Sequence, residues 1–468
     1  MESKYIIFMV GSIVAVPMAV LWATVSRRFR EAMFFAIIAG TVLKGKLDLN
    51  FVSREFYRGS SRGFEFSFVD LLGIVLLVSS LLTLPKSRHR RFWPPSYTLM
   101  TLYFLWCCLS VMLADPKLFA CFELLKVLKA MMLFMTIFIF VRGERELTIL
   151  ISALCASVIY AFLVSAVQRY VYGEWRLSGP LSHPCEFSLY MNVITPVLLA
   201  ASVSELHKFI RRICMLCVGL AGMCVLFTVS RTGIATYAII CPTVLVLCLR
   251  KRLLSTKHMM IGAVIILVCC GVLAKAWDTI SARFGAHSLS QEFADEDFDG
   301  RGRYFRMAAQ IVPDSPIVGL GLNNWSYITT RDYPASSRKY PPQPYNGTSA
   351  LPPTIVNQEP PAHNMIILTL GELGVVGLLL FCAVWGRWIQ MSASFLRERS
   401  ADLVSRFGIG VLCTQGAIFL EGLTSPSYRD IPTFYVSHMI FGALASMYCR
   451  TRWASRKDMS ANKWGTCT

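Results

Sequence analysis

The chain has 468 residues, of which 55% are hydrophobic and only 16% are charged, and its mean hydropathy is +0.53. A soluble protein carries about a quarter charged residues, so this composition excludes an ordinary soluble domain. The net charge of +18 would suit nucleic acid, but the basic residues form short clusters between apolar runs. Lys and Arg are placed in this way when they set membrane topology. The composition therefore predicts a polytopic integral membrane protein whose partners are membrane lipids and anionic lipid-linked molecules, and no nucleic acid.

Crossing a hydrocarbon core takes roughly 20 helical residues, and apolar runs of suitable length follow one another along the chain. They cover residues 5–25, 32–44, 68–84, 96–114, 121–141, 147–168, 187–204, 212–230, 232–249, 258–277, 364–389, 406–422 and 431–449. The first run lacks a strongly basic preceding region, so it predicts a retained helix and no cleaved signal peptide. The pattern predicts an all-α protein with about 12–13 transmembrane helices.

The basic clusters give these predicted helices a direction. The clusters cover residues 27–30, 86–91, 142–145, 208–212, 250–257 and 387–406 and the tail from residue 450. With the runs above, all of them fall on the same side of the membrane, which the positive-inside rule makes the cytoplasm. The opposite, outward side then holds the loops at 54–62, 175–186, 231, 278–362 and 425–430.

One long loop divides the chain into three predicted parts. Residues 1–277 form the first set of transmembrane helices, residues 278–363 form a large outward loop, and residues 364–468 form the last helices and a basic cytoplasmic tail. A loop of this length is usually functional or disordered. The three-part organisation therefore directs attention to the outward loop and to the helix ends beside it.

His363-Asn364 stands at the predicted outer end of a helix, with Glu372 nine residues further on. An imidazole that titrates near neutral pH suits general-base work on a hydroxyl, and the plainer alternative is an interfacial histidine at a helix start. A carboxylate at the depth of Glu372 is costly and usually functional or paired. For Glu372, a structural partnership with a buried Arg or Lys ranks ahead of direct catalysis.

Two further outward segments carry arginines, the side chain that binds phosphate bidentately. Arg231 lies between two runs, in Ser230-Arg231-Thr232-Gly233, and its plainer alternative is an arginine that snorkels to the interface. Arg303 and Arg306 share one face of a helical-looking stretch at 301–312, and their plainer alternative is a solvated basic turn. These residues are candidates for binding an anionic ligand.

Another outward segment, 176–184, contains Arg176 and His183. It either lines the same cavity or is a turn without a ligand. The pattern Pro316-x-x-Gly319-x-Gly321 indicates a shaped turn. It is a weak match to a phosphate-binding loop, because no strand precedes it and no helix clearly follows it.

Taken in order, these segments resemble the O-antigen ligase and O-antigen polymerase superfamily, over about residues 187–390. The resemblance rests on Ser230-Arg231-Thr232-Gly233, Arg301 ahead of Phe305, Pro316-x-x-Gly319-x-Gly321, His363-Asn364, Glu372, Gly374 and Gly377. Phe305 departs from the family pattern, which usually has Trp at this point. The presence of both Arg301 and Arg303 leaves the matching arginine open, although the spacing to Phe305 favours Arg301.

The resemblance implies a GT-C-like, metal-independent membrane glycosyltransferase of the bacterial inner membrane, active on the periplasmic side and without a cofactor. Such proteins move a glycan from undecaprenyl diphosphate to an acceptor hydroxyl, in assembly of O-antigen or exopolysaccharide. The acceptor is lipid A-core for ligases and a second lipid-linked glycan for polymerases. The resemblance implies that His363 activates the acceptor and that Arg231 and Arg301 hold the diphosphate. The other expected substrate-binding residues are Arg303, Asn364, Glu372, Arg176 and His183.

A transporter or flippase of lipid-linked saccharides is the alternative from another class. It requires charges within the membrane along a path. Glu123, Lys126 and Lys129 are the clearest such cluster, and their spacing keeps them near one helix face.

Overall fold

The computed structural model describes residues 3–43, 48–54, 56–84, 93–249, 302–333, 358–398 and 400–464. Over these residues the chain is almost entirely helical. The helices are α1 (Ser3–Val25), α2 (Arg27–Gly40), α3 (Phe68–Leu82), α4 (Tyr97–Leu113), α5 (Lys117–Phe140), α6 (Glu144–Tyr170), α7 (Pro184–Ser202), α8 (Lys208–Phe227), α9 (Arg231–Leu249), α10 (Gly302–Asp314), α11 (Trp325–Asp332), α12 (Met365–Ala393), α13 (Leu403–Gly422) and α14 (Ile431–Trp464). The predicted run at 258–277 and Arg301 lie outside the described residues.

Six of these helices are long and apolar enough to cross a membrane: α6, α7, α8, α9, α13, and α12 with the 3₁₀ turn that follows it. Shorter apolar helices cover Gly11–Val25, Phe68–Leu82 and Tyr97–Leu113. Their length and apolar character confirm the prediction of an all-helical, polytopic membrane protein.

Helix α7 is the centre of the bundle. It packs against α8, α9 and α13, and all of residues 187–202 are buried. Helices α5 and α14 form a second packed pair. Because α9, α12 and α13 pack around these two groups, their first residues are held in fixed places.

A short hairpin precedes α3. Strand β1 (Leu49–Phe51) pairs antiparallel with β2 (Phe64–Phe66), with Leu49 opposite Phe66. Ser67 and Asp70 then form a capping box at the start of α3. Lys129 of α5 lies 2.9 Å from the Asp70 carboxylate, so the hairpin and α3 are fastened to the bundle.

A chain of contacts joins the five predicted outward segments at one end of the bundle, which we call the outer end. The contacts are Arg58 with Gln358, Ser61 with Asn323, Asn364 with Leu423, Arg429 with Glu372, Thr424 with Thr232 and Arg176 with Thr228. At the opposite end, ion pairs join the starts of α2 and α6, where Arg27 lies 3.1 Å from Glu146 and Arg145 lies 2.8 Å from Glu31. The segments predicted to face outward thus meet at one end of the bundle, and the side of the membrane on which this end lies stays a prediction.

Candidate active site

His363 is the residue just before the cap of α12. The Asn364 side-chain oxygen accepts hydrogen bonds from the backbone N–H groups of Ile366 at 2.9 Å and Ile367 at 3.0 Å. An N-cap of this kind satisfies donors that the first turn of a helix leaves unpaired. The Asn364 amide also donates to the Leu423 carbonyl at 3.1 Å. The cap therefore holds a half-buried His363 at the outer end.

The imidazole of His363 has a defined proton arrangement. Its Nδ1 lies 3.0 Å from the Pro361 carbonyl oxygen. A carbonyl oxygen only accepts hydrogen bonds, so in this bond Nδ1 is the donor. In the neutral ring, Nε2 then carries the lone pair. This is the tautomer that a general base needs at Nε2.

Arg231 is the first residue of α9 and therefore stands at the positive end of that helix's dipole. Ser230 Oγ accepts a hydrogen bond from the Gly233 N–H at 3.3 Å, which closes the first turn. The Asn192 amide of α7 donates to the Gly233 carbonyl at 2.9 Å and to the buried Glu421 carboxylate at 2.6 Å. The start of α9 is therefore fixed from two neighbouring helices.

The residues that follow α13 lie between these two helix starts. Leu423 accepts from Asn364, the neighbour of His363. Thr424 donates through its hydroxyl to Thr232, the neighbour of Arg231, at 3.0 Å. We call this arrangement the junction, formed by 230–233, 363–364 and 423–424. It links the helix start that follows the predicted base to the helix start that carries a predicted phosphate-binding arginine.

Arg176 and His183 lie close to the same turn. Arg176 Nε donates to the Thr228 carbonyl at 3.2 Å, just before Arg231 in the chain. His183 caps α7, and its Nδ1 accepts from the Cys185 N–H at 3.1 Å. Loss of hydration lowers the pKa of His183 below its ordinary value, against the opposing charge of Glu186. The segment thus borders the junction, and its contact with substrate stays a prediction.

Arg303 lies on the buried face of α10. Its guanidinium is 2.8 Å from the Glu359 carboxylate and donates to the Tyr304 hydroxyl at 2.8 Å. Both charged side chains are buried, at 8% and 0% exposure. Arg303 therefore has protein partners, while its predicted contact with phosphate stays a prediction.

Glu372 forms a buried ion pair with Arg429, a residue of the outward loop at 425–430. Its other carboxylate oxygen is 3.4 Å from the backbone nitrogen of Trp325. The predicted pairing of Glu372 with a buried arginine is confirmed, while its expected contact with substrate stays a prediction. Arg429 was missed because nothing in the local sequence links it to a residue 57 positions earlier.

Helix α12 is broken at Gly374, where φ is 65° and ψ is −172°. The turn at 316–321 docks into the break: the N–H groups of Leu320 and Gly321 donate to the Gly371 and Glu372 carbonyls at 2.8 and 3.0 Å. The Val375 N–H donates to the Pro316 carbonyl at 2.9 Å. These bonds satisfy backbone groups that the break would leave unpaired. The Pro-Gly-Gly pattern is therefore a docking turn.

Replacing Gly374 by alanine is expected to destabilise the fold. A Cβ at this position would collide with the Ile317 carbonyl, and the positive φ is strained for any L side chain. We expect a loss of about 1–3 kcal/mol, measured by thermal unfolding of the purified protein in detergent. Gly386→Ala in the same helix is the matched control, because nothing lies within 4 Å of its added Cβ. Equal midpoints for the two variants would contradict this account.

Glu123, Lys126 and Lys129, the charged cluster on which the transporter alternative rests, each contact protein partners. Lys126 lies 2.6 Å from Glu123 and donates to the Arg429 carbonyl at 2.6 Å. Ser61 donates to Glu123 at 2.7 Å, and Lys129 is paired with Asp70. This cluster joins α5 to the hairpin segment and to the loop of Arg429.

Cations, hydroxyls and amides surround the junction, from Arg231, Arg176, Thr232, Thr424 and Asn364. Such groups bind anions, whereas metal ions take carboxylate, imidazole or thiolate ligands. Within the described ranges, no three His, Cys, Asp or Glu side chains are placed to hold a metal ion. The junction therefore suits an anionic ligand.

The part of the chain that contains these residues was compared with known protein families. Residues 216–382 match the family model described as O-antigen ligase (Wzy_C). No curated protein matches the chain. The matched region contains Arg231, the docking turn, His363 and the break in α12. The chain is therefore a polytopic helical membrane protein in which residues 216–382 match the family model described as O-antigen ligase.

Proposed function

We propose that the protein transfers a glycan from an undecaprenyl-diphosphate carrier to an acceptor hydroxyl, at the periplasmic face of the bacterial inner membrane and without a metal. The junction is the observation that supports this function best. Through residues 423 and 424 it links the helix start that follows a histidine in the base tautomer to the helix start that carries an arginine, within the region that matches the O-antigen ligase family.

His363 takes the proton of the acceptor hydroxyl through Nε2. The hydroxyl oxygen attacks the anomeric carbon of the donor sugar, and the bond from that carbon to the diphosphate oxygen breaks. Undecaprenyl diphosphate leaves with the bonding electron pair, and the imidazolium returns its proton to water. Removing a proton in the transition state is the task of a positioned general base.

Arg231 and Arg301 stabilise the negative charge that develops on the leaving diphosphate. A cation that is already in place when this charge develops needs no reorganisation during the reaction and so stabilises the charge strongly. The start of α9 adds the positive end of its dipole. Arg176, beside the same turn, extends this positive surface toward the substrate, and His183 adds an uncharged imidazole next to it.

Deleting the gene and analysing surface glycans on gels tests the function and identifies the acceptor. Single repeat units on lipid A-core would indicate a lost polymerase. Carrier-linked polymer with a bare core would indicate a lost ligase. Flipping of lipid-linked saccharides by the purified protein in liposomes, without glycan transfer, would instead indicate a transporter.

Replacing Arg231 by alanine in the complemented deletion strain is expected to lower glycan transfer by about 10²–10³-fold, the usual effect of removing one charge-stabilising donor. We expect Arg301→Ala to behave in the same way. Arg231→Lys keeps the charge but loses the bidentate geometry, so it should restore only part of the transfer. Gel densitometry measures the product, and immunoblots measure the protein.

Arg331→Ala is the matched control for this series. Arg331 is an outer-end arginine paired with Asp332 at 2.7 Å, and it lies outside the proposed site. We expect normal transfer from it. Full activity in Arg231→Ala and Arg301→Ala, at normal protein levels, would refute the proposed role of these arginines.

A further inference from the structure

We propose that Tyr304 is a positioning residue for His363, and that Arg303 and Glu359 hold Tyr304 in place. This inference rests on the proposed function, in which His363 is the base. It gives Arg303 a task other than direct contact with the diphosphate.

Tyr304 and His363 lie face to face. Their ring centroids are 5.3 Å apart and the planes are inclined by 30°. The hydrogen bond from His363 Nδ1 to Pro361 fixes one atom of the imidazole. The ring contact restrains its plane. Together they set the direction of the lone pair on Nε2.

Tyr304 is itself held in place by contacts with Arg303. Its side chain is 2% exposed, and the Arg303 guanidinium carbon lies 4.7 Å from its ring centroid. The same guanidinium binds the Tyr304 hydroxyl at 2.8 Å and the Glu359 carboxylate at 2.8 Å. The Glu359 N–H donates to the Thr330 hydroxyl at 2.8 Å. A charged pair anchored to α11 therefore braces the ring.

This bracing matters because His363 precedes α12 and is not held by helical hydrogen bonds of its own. A base acts only when its lone pair points at the proton, and small errors of placement lower the rate strongly. Tyr304 also packs in an apolar cluster with Met307, Ile311 and Trp325. The test must therefore separate positioning of the base from general packing.

The test uses membranes that carry the full-length protein and the carrier-linked glycan that accumulates in the deletion strain as donor. We expect Tyr304→Leu to lower kcat by about 10–100-fold with KM within about twofold, since an interaction that acts only in the transition state changes kcat. Tyr304→Phe keeps the ring contact and should stay within about threefold of the original kcat. Met307→Leu is the matched control in the same cluster, because it nearly conserves volume.

The double variant Tyr304→Leu/His363→Ala tests most directly whether Tyr304 acts through His363. If Tyr304 acts through His363, the double variant should be no slower than His363→Ala alone, because residues that act as a unit are not additive. A further loss in the double variant, or an unchanged kcat in Tyr304→Leu, would overturn the inference. Should Tyr304→Leu fail to accumulate, Glu359→Ala removes the side chain that holds Arg303, with the ring of Tyr304 left in place. An unchanged kcat there overturns the inference equally.

These outcomes are distinct from a failure of the proposed function. Normal transfer by His363→Ala would refute the function and the inference with it. An inactive His363→Ala together with a normal Tyr304→Leu would refute only the positioning role.

Discussion

Replacing His363 by alanine is expected to lower glycan transfer by about 10²–10⁴-fold, the usual contribution of a general base. The variant loses the imidazole of the junction. In the neutral form, Nδ1 of this ring donates to a carbonyl oxygen and Nε2 carries the lone pair. Transfer is measured on gels of surface glycans from the complemented deletion strain, and immunoblots of the membrane fraction report protein levels.

His207→Ala is the matched control for this experiment. His207 also precedes a helix: it caps α8, with its Nδ1 accepting from the Phe209 N–H at 3.4 Å, but α8 starts at the end of the bundle opposite the junction. We expect normal transfer from it, with at most the modest loss of stability that follows removal of a cap. Normal transfer by His363→Ala at normal protein levels would contradict a role as base.

Replacing Arg429 by alanine is expected to destabilise the fold by about 3–5 kcal/mol, because it leaves a buried carboxylate without its partner. Glu372 and Arg429 have side-chain exposures of only 3% and 7%. The pair also links two elements, since the Arg429 backbone accepts from Lys126 of α5 at 2.6 Å. Thermal unfolding in detergent measures the change.

Two further variants separate the buried charge from lost packing. The double variant Arg429→Met/Glu372→Leu removes both charges, and we expect it to be more stable than Arg429→Ala. Arg331→Ala removes an exposed ion pair and should cost no more than about 1 kcal/mol. A double variant as unstable as Arg429→Ala would show that packing, and not the unpaired charge, causes the loss.

The helices were largely predictable, because each apolar run is a local feature. The boundaries were less so. The run at 32–44 corresponds to α2, which begins earlier, at Arg27. Ser26 starts it by accepting from the Phe29 N–H at 3.2 Å, and the first turn carries basic residues that hydropathy leaves out. The basic loops were all predicted on one side of the membrane, and this placed the remaining loops together at the opposite, outer end.

The site was predictable where its residues stand at helix starts within short motifs, as His363 and Arg231 do. Their partners were not, because the pairing depends on contacts between distant segments. Arg303 meets Glu359, which carried no signal in the sequence. Arg58 meets Gln358 across 300 positions, so the outer segment near residue 58 is packed against the chain just before the predicted base.

The break in α12 also sets limits on how the protein can be recombined with its relatives. The docking turn at 316–321 and the helix around Gly374 complete each other's backbone hydrogen bonds, although they belong to different parts of the chain. If the outward loop alone were exchanged, a docking turn from another protein would have to bond to the Gly371 and Glu372 carbonyls of this helix. A functional chimera should therefore transfer residues 302–333 and 358–377 as one block, with its breakpoint inside the membrane helix and not at the loop's end.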